Sequence, residues 1–277
     1  MLFDRPLATR GIFIPQSPVN PDDISKFETY FGEHLTIALL MEELGISPEN
    51  STFVDIGAGD GVDHSNTYLL AAAGARGISV DFDSDKFAML AVTYRTFPNV
   101  RIAKAPATPE DVCALLSGMG AAPKSDLLNL DIDSFDYWVL KALLEQFDFN
   151  ILCLEINPLF PINVDFSVGY PNPEWSEDWF AGMSLSLAWD LLQTFGYSTI
   201  RVDRGCLFAV KDSAALLSFE PLSKADAGAA LDLSLVGTTF SFILDEYRNR
   251  DEGELLKSFH ALFGRNPDTF ILRSSEG

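Results

Sequence analysis

Short apolar runs alternate with amphipathic stretches along most of this 277-residue chain, and this alternation constrains the fold more than any other feature. Stretches such as DKFAMLAVTYRTF (85–97) repeat apolar residues at the spacing of a helix. Repeated strand–helix units build a parallel sheet with helices on both faces. The turn at Arg204–Gly205 joins the last two apolar runs into a predicted antiparallel hairpin. We therefore expect an α/β fold with a seven-stranded, mostly parallel sheet that ends in an antiparallel hairpin. The seven predicted strands are STFVDIG (51–57), GISVDF (77–82), NVRIAKA (99–105), DLLNLDI (126–132), NILCLEIN (150–157), YSTIRVD (197–203) and CLFAVKD (206–212).

Three segments organise the chain around this alternation. Residues 1–50 are an irregular lead-in followed by a helix, which is predicted to begin near Pro21 because apolar residues then recur every three or four positions. Residues 51–213 form the main domain, and residues 214–277 are a mostly helical extension of it. This extension either caps the domain or makes a homodimer contact through its C-terminal helices, and the sequence leaves both open.

Within the main domain, residues 158–183 form a long stretch rich in proline and aromatic residues. Loops of this length in a compact domain are usually functional, so we predict a lid-like insertion. The alternative is a loop that packs over its own aromatic side chains. These are Phe160, Phe166, Tyr170, Trp175, Trp179 and Phe180.

The charge balance excludes some classes of partner. The chain has 19 Lys and Arg against 40 Asp and Glu, for a formal net charge of −21. Nucleic acids and anionic membranes are bound by clustered basic residues, and the sequence has no such cluster. Its three cysteines are widely spaced, and no apolar run approaches the roughly 20 residues of a membrane span. We expect a cytoplasmic protein whose partner is a small-molecule substrate.

The stretch FVDIGAGDGVD lies between the first predicted strand and a helix, where α/β sheets bind nucleotides. The dinucleotide fingerprint GxGxxG needs a small residue where Val62 stands, which disfavours an NAD-dependent dehydrogenase. Glycines alternate instead at Gly57, Gly59 and Gly61, and such a turn lets a ligand approach the backbone. Asp81 ends the second strand and can accept both hydroxyls of a ribose. With no Lys or Arg beside this turn, an adenosyl ligand with an amino-acid end is favoured, namely S-adenosylmethionine (SAM).

The DxGxGxG stretch, Asp81 and the order of the strands resemble a class I SAM-dependent methyltransferase over residues 51–212. More narrowly, the blocks GAGDGVDHSNTYLL, LDIDSFDYWVLKAL and CLEINP in this order resemble the FkbM-like family, which is associated mainly with O-methylation of natural products and sugars. The resemblance implies a Rossmann-like sheet in the order 3-2-1-4-5-7-6. It also implies SAM as cofactor and O-methylation of a small-molecule hydroxyl, with N-methylation as the nearest variant.

The resemblance also implies which residues hold the cofactor. Asp81 and Phe82 would contact the ribose and one face of the adenine, and Ala105–Pro106 would lie near the adenine edge. The methionine end would be lined by Asp55, Gly57, Gly59 and Asp60.

The helix start after the glycine turn carries Ser65, Asn66 and Thr67. Ser65 or Asn66 acts there either as a helix cap or, with the exposed amides, as a site for the SAM carboxylate, with Asn66 as the cofactor-binding candidate. His64 lies beside them and is a candidate general base, with a purely structural histidine as the alternative.

The stretch LLNLDIDSFDYW places three aspartates directly after the buried fourth strand. Asp131 and Asp133 end that strand, while Glu155 and Asn157 end the fifth. In the implied strand order these ends are neighbours at the sheet edge near the methyl donor. Asp133 and Asp136 are read first as a solvated strand end with a helix cap.

Two further interpretations stay open for these strand ends. Asp131 and Glu155 could act as catalytic carboxylates. Alternatively, Asp131, Glu155 and Asn157 could hold a hard cation such as Mg²⁺. An alternative from another class is a non-catalytic SAM- or nucleoside-binding protein with a regulatory role.

Overall fold

The computed structural model describes residues 32–171, 179–248 and 250–275. The chain divides into two compact units, the first ending at Pro106 and the second beginning at Ala107. None of the helices in these described ranges is long and apolar enough to cross a membrane.

The first unit contains three parallel strands, ordered β3-β2-β1. Its elements are α1 (Glu33–Glu43), β1 (Thr52–Ile56), α2 (Tyr68–Ala73), β2 (Arg76–Asp81), α3 (Ser84–Tyr94) and β3 (Val100–Lys104). The helix predicted from Pro21 lies partly outside the described residues; within them α1 begins at Glu33, directly after Gly32 at φ 76°. Gly77 is required in β2 because a Cβ there would lie 2.1 Å from the ring of Phe53.

The second unit contains the remaining elements, beginning with α4 (Val112–Gly118), β4 (Lys124–Leu130), α5 (Asp136–Gln146) and β5 (Asp148–Glu155). β4 and β5 are parallel and almost wholly buried, as expected for strands covered on both faces. The chain continues through β6 (Val164–Val168), α6 (Leu185–Thr194), β7 (Ser198–Asp203), β8 (Cys206–Val210), α7 (Lys224–Leu235), α8 (Glu252–Phe263) and β9 (Phe270–Ser274). β7 and β8 form the predicted hairpin, and Arg204 in its turn has a φ of 52°.

The seven-stranded sheet has the order β3-β2-β1-β4-β5-β8-β7. β8 is antiparallel to both of its neighbours, while the strands before it run parallel. With β6 left out of the count, this is the order 3-2-1-4-5-7-6. The predicted Rossmann-like class I methyltransferase fold is therefore confirmed.

The insertion (158–183) and the C-terminal extension (214–277) each contain a strand that the sequence did not predict. The insertion contains β6 and the extension contains β9, and the two strands form a separate antiparallel sheet. Phe160 and Phe166 stack with ring centroids 4.1 Å apart and are fully buried. Phe180 joins them in one apolar cluster with Phe259 of α8. These three aromatics are core residues, as the second interpretation of this stretch expects, whereas Trp179 lines a cavity of the second unit. The lid-like role of residues 158–183 stays a prediction. Trp175 lies outside the described residues.

Candidate functional site

The glycine turn of the first unit follows β1 and is tied to β2 by its backbone. The amides of Gly57 and Ala58 both donate to the carbonyl of Val80, at 2.9 and 3.1 Å. Gly57, Gly59 and Gly61 all have positive φ, between 58° and 87°, which L-residues with a side chain seldom adopt.

Two of these glycines differ in what surrounds them. A Cβ on Gly61 would lie 2.6 Å from Leu90 and 2.7 Å from Tyr94, so this glycine is needed for packing against α3. A Cβ on Gly59 would meet nothing within 4 Å. The backbone at Gly59 therefore borders open space, as a turn that receives a ligand should.

Asp81 links the end of β2 to this turn. One of its carboxylate oxygens accepts the amide of Gly59 at 2.8 Å, and the other accepts the amide of Asp83 at 2.8 Å. A carboxylate can accept about four hydrogen bonds, so each oxygen retains a lone pair for a ligand. Phe82 follows with its side chain 59% exposed, and Pro106 is exposed after β3.

Asp55 lies in β1, just before the glycine turn, and bonds to the start of α2. It is 2% exposed and its Oδ2 accepts the hydroxyl of Thr67 at 2.6 Å. The Tyr94 hydroxyl lies 3.4 Å from the same Thr67 oxygen. Burial raises the pKa of Tyr94, and the negative charge of Asp55 raises it further. Asp55 therefore holds the start of α2 in position, a role the sequence did not reveal.

The residues between the turn and α2 are arranged mainly by local hydrogen bonds. Asp60 accepts the amides of Val62 and Asp63, both at 2.8 Å. Ser65 accepts the amides of Thr67 and Tyr68, and the second of these is the first amide of α2. The N-cap position itself belongs to Thr67, whose side chain makes no capping bond. The SAM carboxylate site predicted at this helix start stays a prediction.

His64 and Asn66 occupy the same connection. His64 is a non-glycine residue at φ 56°, and its side chain is 42% exposed beside Asp63. Asn66 is half-buried. The catalytic role predicted for His64 and the cofactor role predicted for Asn66 both stay predictions.

The first unit fits the adenosyl part of SAM on its own chemistry. Gly59 borders open space, Asp81 offers carboxylate lone pairs of the kind that accept the two hydroxyls of a ribose, and Phe82, the next residue, is exposed. No Lys or Arg is among these residues, so the arrangement suits an adenosyl group better than a pyrophosphate.

The second unit gathers three acidic side chains at the ends of β4 and β5. Carboxylate oxygens of Asp131, Asp133 and Glu155 all lie within 4.8 Å of one another. Burial raises the pKa of Glu155 well above its ordinary value, and the negative charges of Asp131, Asp133 and Asp136 raise it further. Asp131 also hydrogen-bonds to Glu155, so the pair can share a proton.

Asp136 has a structural role that corrects its reading as part of a solvated strand end. It is fully buried, and its two carboxylate oxygens accept the amides of Ile132 and Ser134, both at 3.0 Å. Burial raises its pKa to about 6, although these two hydrogen bonds act in the opposite direction. Asp133 is exposed at φ 51° and does not cap α5. Asp136 therefore fixes the loop that presents Asp131.

Asn157, one of the predicted metal ligands, takes part in several structural hydrogen bonds. Its side-chain amide donates to the carbonyls of Trp179 and Ala181, at 2.8 and 3.0 Å, and its oxygen accepts the amide of Leu159 at 3.0 Å. These hydrogen bonds join the chain after β5 to the end of the insertion. The metal role predicted for Asn157 stays a prediction.

A cavity of about 140 Å³ lies beside this cluster in the second unit. It is lined by Asp133, Glu155, Ile156, Asn157, Pro158, Trp179, Ala181 and Gly182. This lining contains two carboxylates and no basic side chain, so it suits an uncharged or cationic group. We name it the Glu155 cavity.

No protein-family model matches the chain, and no curated protein matches it in sequence. The FkbM-like resemblance therefore stays a prediction. Among solved structures, the chain is similar to the CurJ carbon methyltransferase (10% identity, 65% of this chain and 54% of that one, TM-score 0.42). It is also similar to precorrin-6y C5,15-methyltransferase from Geobacter metallireducens (14% identity, 68% and 97%, TM-score 0.40). A third is a SAM-dependent methyltransferase from Aquifex aeolicus (14% identity, 69% and 92%, TM-score 0.38). The chain thus spans about half the length of the carbon methyltransferase, and at these identities the similarity concerns the fold alone.

Proposed function

We propose that this protein is a SAM-dependent methyltransferase that methylates a hydroxyl group of a small molecule, of the natural-product or sugar-like kind. The observation that carries the proposal is the first unit's combination of an open glycine turn at Gly59 with the Asp81 carboxylate bonded to it at 2.8 Å. The FkbM-like sequence blocks support the choice of oxygen as the acceptor atom.

The roles proposed for the first unit follow from its hydrogen bonds. Asp81 binds the ribose hydroxyls with its remaining lone pairs, and Phe82 packs against the adenine. The backbone at Gly57 and Gly59 leaves room for the methionine end, while Asp55 and Asp60 keep the turn and the start of α2 in place. When bound, SAM supplies an electrophilic methyl group on a positive sulfonium.

The second unit is proposed to hold the acceptor. An attacking hydroxyl must lose its proton, and a carboxylate with a raised pKa is a stronger base than an ordinary one. We assign this proton to Glu155, which shares hydrogen bonding with Asp131, so the two act as the catalytic carboxylates. His64 stays a second candidate base. The acidic lining of the Glu155 cavity favours an uncharged or cationic acceptor.

A hard divalent cation is the alternative occupant of the carboxylate cluster. Three carboxylates within 4.8 Å of one another offer the oxygen donors that Mg²⁺ prefers. Asp131, Asp133 and Glu155 would hold it, and it would lower the pKa of an acceptor hydroxyl. Methyl transfer that is unchanged by EDTA would leave the carboxylates acting on their own.

Calorimetric titration with SAM tests the proposal most directly. We expect wild-type protein to bind SAM and not NAD. Asp81→Asn should weaken SAM binding about 10- to 100-fold, because a hydrogen bond to a charged group contributes about 1.5–3 kcal/mol. Asp85→Asn makes the same chemical change in the first turn of α3 and should leave the affinity unchanged.

The wild-type result separates the alternatives. Absence of SAM binding by wild-type protein would overturn the proposed function. Binding of SAM without methyl transfer to any hydroxyl or amine would favour the non-catalytic alternative, a SAM-binding regulatory protein.

A further inference from the structure

Arg248, from the C-terminal extension, reaches the chain directly after β5. Its Nη1 donates to the carbonyl of Leu159 at 2.9 Å and its Nη2 to the carbonyl of Pro158 at 2.7 Å. Its Nε donates to Asp232 of α7 in an ion pair. The Arg248 side chain is only 8% exposed, so its charge is held by these three partners.

The segment that Arg248 binds is one wall of the Glu155 cavity. Pro158 lines the cavity, and Leu159 donates its amide to the side chain of Asn157. Asn157 in turn binds the carbonyls of Trp179 and Ala181, which line the same cavity. A chain of hydrogen bonds therefore connects Arg248 with both sides of the cavity wall.

The chemistry of this contact requires a guanidinium. Arginine offers five N–H donors in a rigid planar fork, whereas lysine is a single point charge on a flexible stem. Only the fork can serve Asp232 and two successive carbonyls at once. Burying an arginine is costly, and burial lowers the pKa of Arg248 while Asp232 opposes that shift. Because its buried charge binds two loop carbonyls, Arg248 constrains the position of this loop more than a surface ion pair would.

We propose that Arg248 is a positioning residue for the acceptor site: through this fork the C-terminal extension sets the position of the Asn157–Leu159 segment and thereby the width of the Glu155 cavity. The extension then determines which acceptors fit. This inference rests on the proposed function only where it calls the cavity an acceptor site. The hydrogen bonds of Arg248 and the lining of the cavity do not depend on that function.

The test uses the full-length chain and two arginine substitutions. Arg248→Lys keeps the charge and loses the fork. Arg273→Lys is the control, because Arg273 also belongs to the extension and also pairs with a buried partner, Asp165 of β6, which does not line the cavity. Both variants should be somewhat less stable than wild type.

Amide hydrogen exchange is the first readout. In Arg248→Lys the Leu159 amide and the amides of residues 179–183 should exchange at least about tenfold faster, as expected for loss of a charged hydrogen bond. In Arg273→Lys these amides should keep their wild-type rates. Equal acceleration in both variants, or in neither, would overturn the proposal.

The indole N–H signal of Trp179 in a ¹H–¹⁵N NMR spectrum is the second readout, since mere loss of stability would not move it. Trp179 lines the cavity, and its carbonyl accepts a hydrogen bond from Asn157. A displaced cavity wall should shift this signal in Arg248→Lys only. An unchanged Trp179 signal in Arg248→Lys would contradict the inference.

If Arg248→Lys does not fold, a second substitution still tests whether Arg248 positions the cavity wall. Asp232→Asn leaves the fork and both carbonyl bonds in place but removes the ion pair, and should give a smaller change of the same sign at the same amides. No change would overturn the proposal. SAM titration of wild type and all variants separates the proposed function from the positioning role of Arg248. If wild-type protein does not bind SAM, the proposed function is overturned, but the positioning role is not.

Discussion

At the scale of single residues, the acidic side chains of the candidate acceptor site lower the stability of the folded protein. Glu155, Asp131 and Asp133 bring like charges together at the ends of two strands, and burial adds to the cost for Glu155. Asp136 accepts two backbone amides of the loop that carries Asp131 and Asp133, but its negative charge adds to the repulsion at Glu155. Residues that lower stability without a packing role are typical of functional sites.

Glu155→Gln should therefore raise the free energy of unfolding at pH 8 by about 1 kcal/mol. The folded-state pKa of Glu155 is higher than its unfolded value, so its contribution to stability is fully present below the unfolded pKa and is lost as pH rises through the folded pKa. Glutamine does not titrate, so the advantage of the variant should grow with pH and vanish near pH 4. Urea unfolding at several pH values measures this difference.

Glu145→Gln, the same change at an exposed position on α5, is the control and should show no such pH dependence. A Glu155 variant that is less stable than wild type at every pH would show that the carboxylate cluster does not oppose folding.

At the scale of elements, the loop between β1 and α2 shows what sequence spacing can and cannot predict. Alternating glycines correctly indicate a tight turn after a buried strand, since each has a positive φ. Spacing does not distinguish a glycine that permits packing from one that borders open space. That distinction needs the side chains of α3, which lie about 30 residues further along the chain and touch only Gly61.

Gly59→Ala and Gly61→Ala should therefore separate folding from binding. Both carry the backbone strain of a side chain at positive φ, about 1–2 kcal/mol. Gly61→Ala also clashes with Leu90 and Tyr94 and should cost about 1–3 kcal/mol more. Gly59→Ala meets no protein atom, so it should stay folded and lose at least about tenfold in SAM affinity if the ligand occupies that space.

Thermal unfolding and calorimetry together measure both effects. Wild-type SAM affinity in Gly59→Ala would show that the space beside Gly59 is not the cofactor site. Equal stability of the two variants would contradict the packing role of Gly61.

At the scale of the whole molecule, the sequence predicts the strands of the main sheet because each is a short run rich in apolar residues and bounded by turn residues. It does not predict β6 and β9. Phe166 in β6 pairs with Leu272 in β9, more than a hundred residues later, and the nearer contact of β6 is an isolated bridge from Ser167 to Met183. Such non-local pairing leaves little local signal, and Pro-rich flanks suggested a loop. For the same reason the sequence could not show that Arg248 reaches Pro158 and Leu159.

The extension should therefore be indispensable for folding of the second unit. It contributes to the buried cluster the side chains Leu235, Ile243, Leu255, Phe259 and Phe270. Each is worth about 1.5–3 kcal/mol when buried, against a total stability of about 5–15 kcal/mol for a typical protein. A chain that ends at residue 213 also exposes Phe160 and Phe166. We expect it to bind the dye ANS and to show no cooperative thermal transition.

A chain that ends at Ser275 keeps β9 whole and should unfold like the full-length protein. A chain that ends at Phe263 keeps α8 but removes the partner strand of β6, and should melt at a lower temperature with a transition that is still cooperative. Cooperative unfolding of the chain that ends at residue 213 would mean that the main domain folds without its extension. In that case hydrogen exchange of the Leu159 amide in the shortened chain would show whether the Asn157–Leu159 segment keeps its position without Arg248, so the same chain tests the acceptor site as well as the fold.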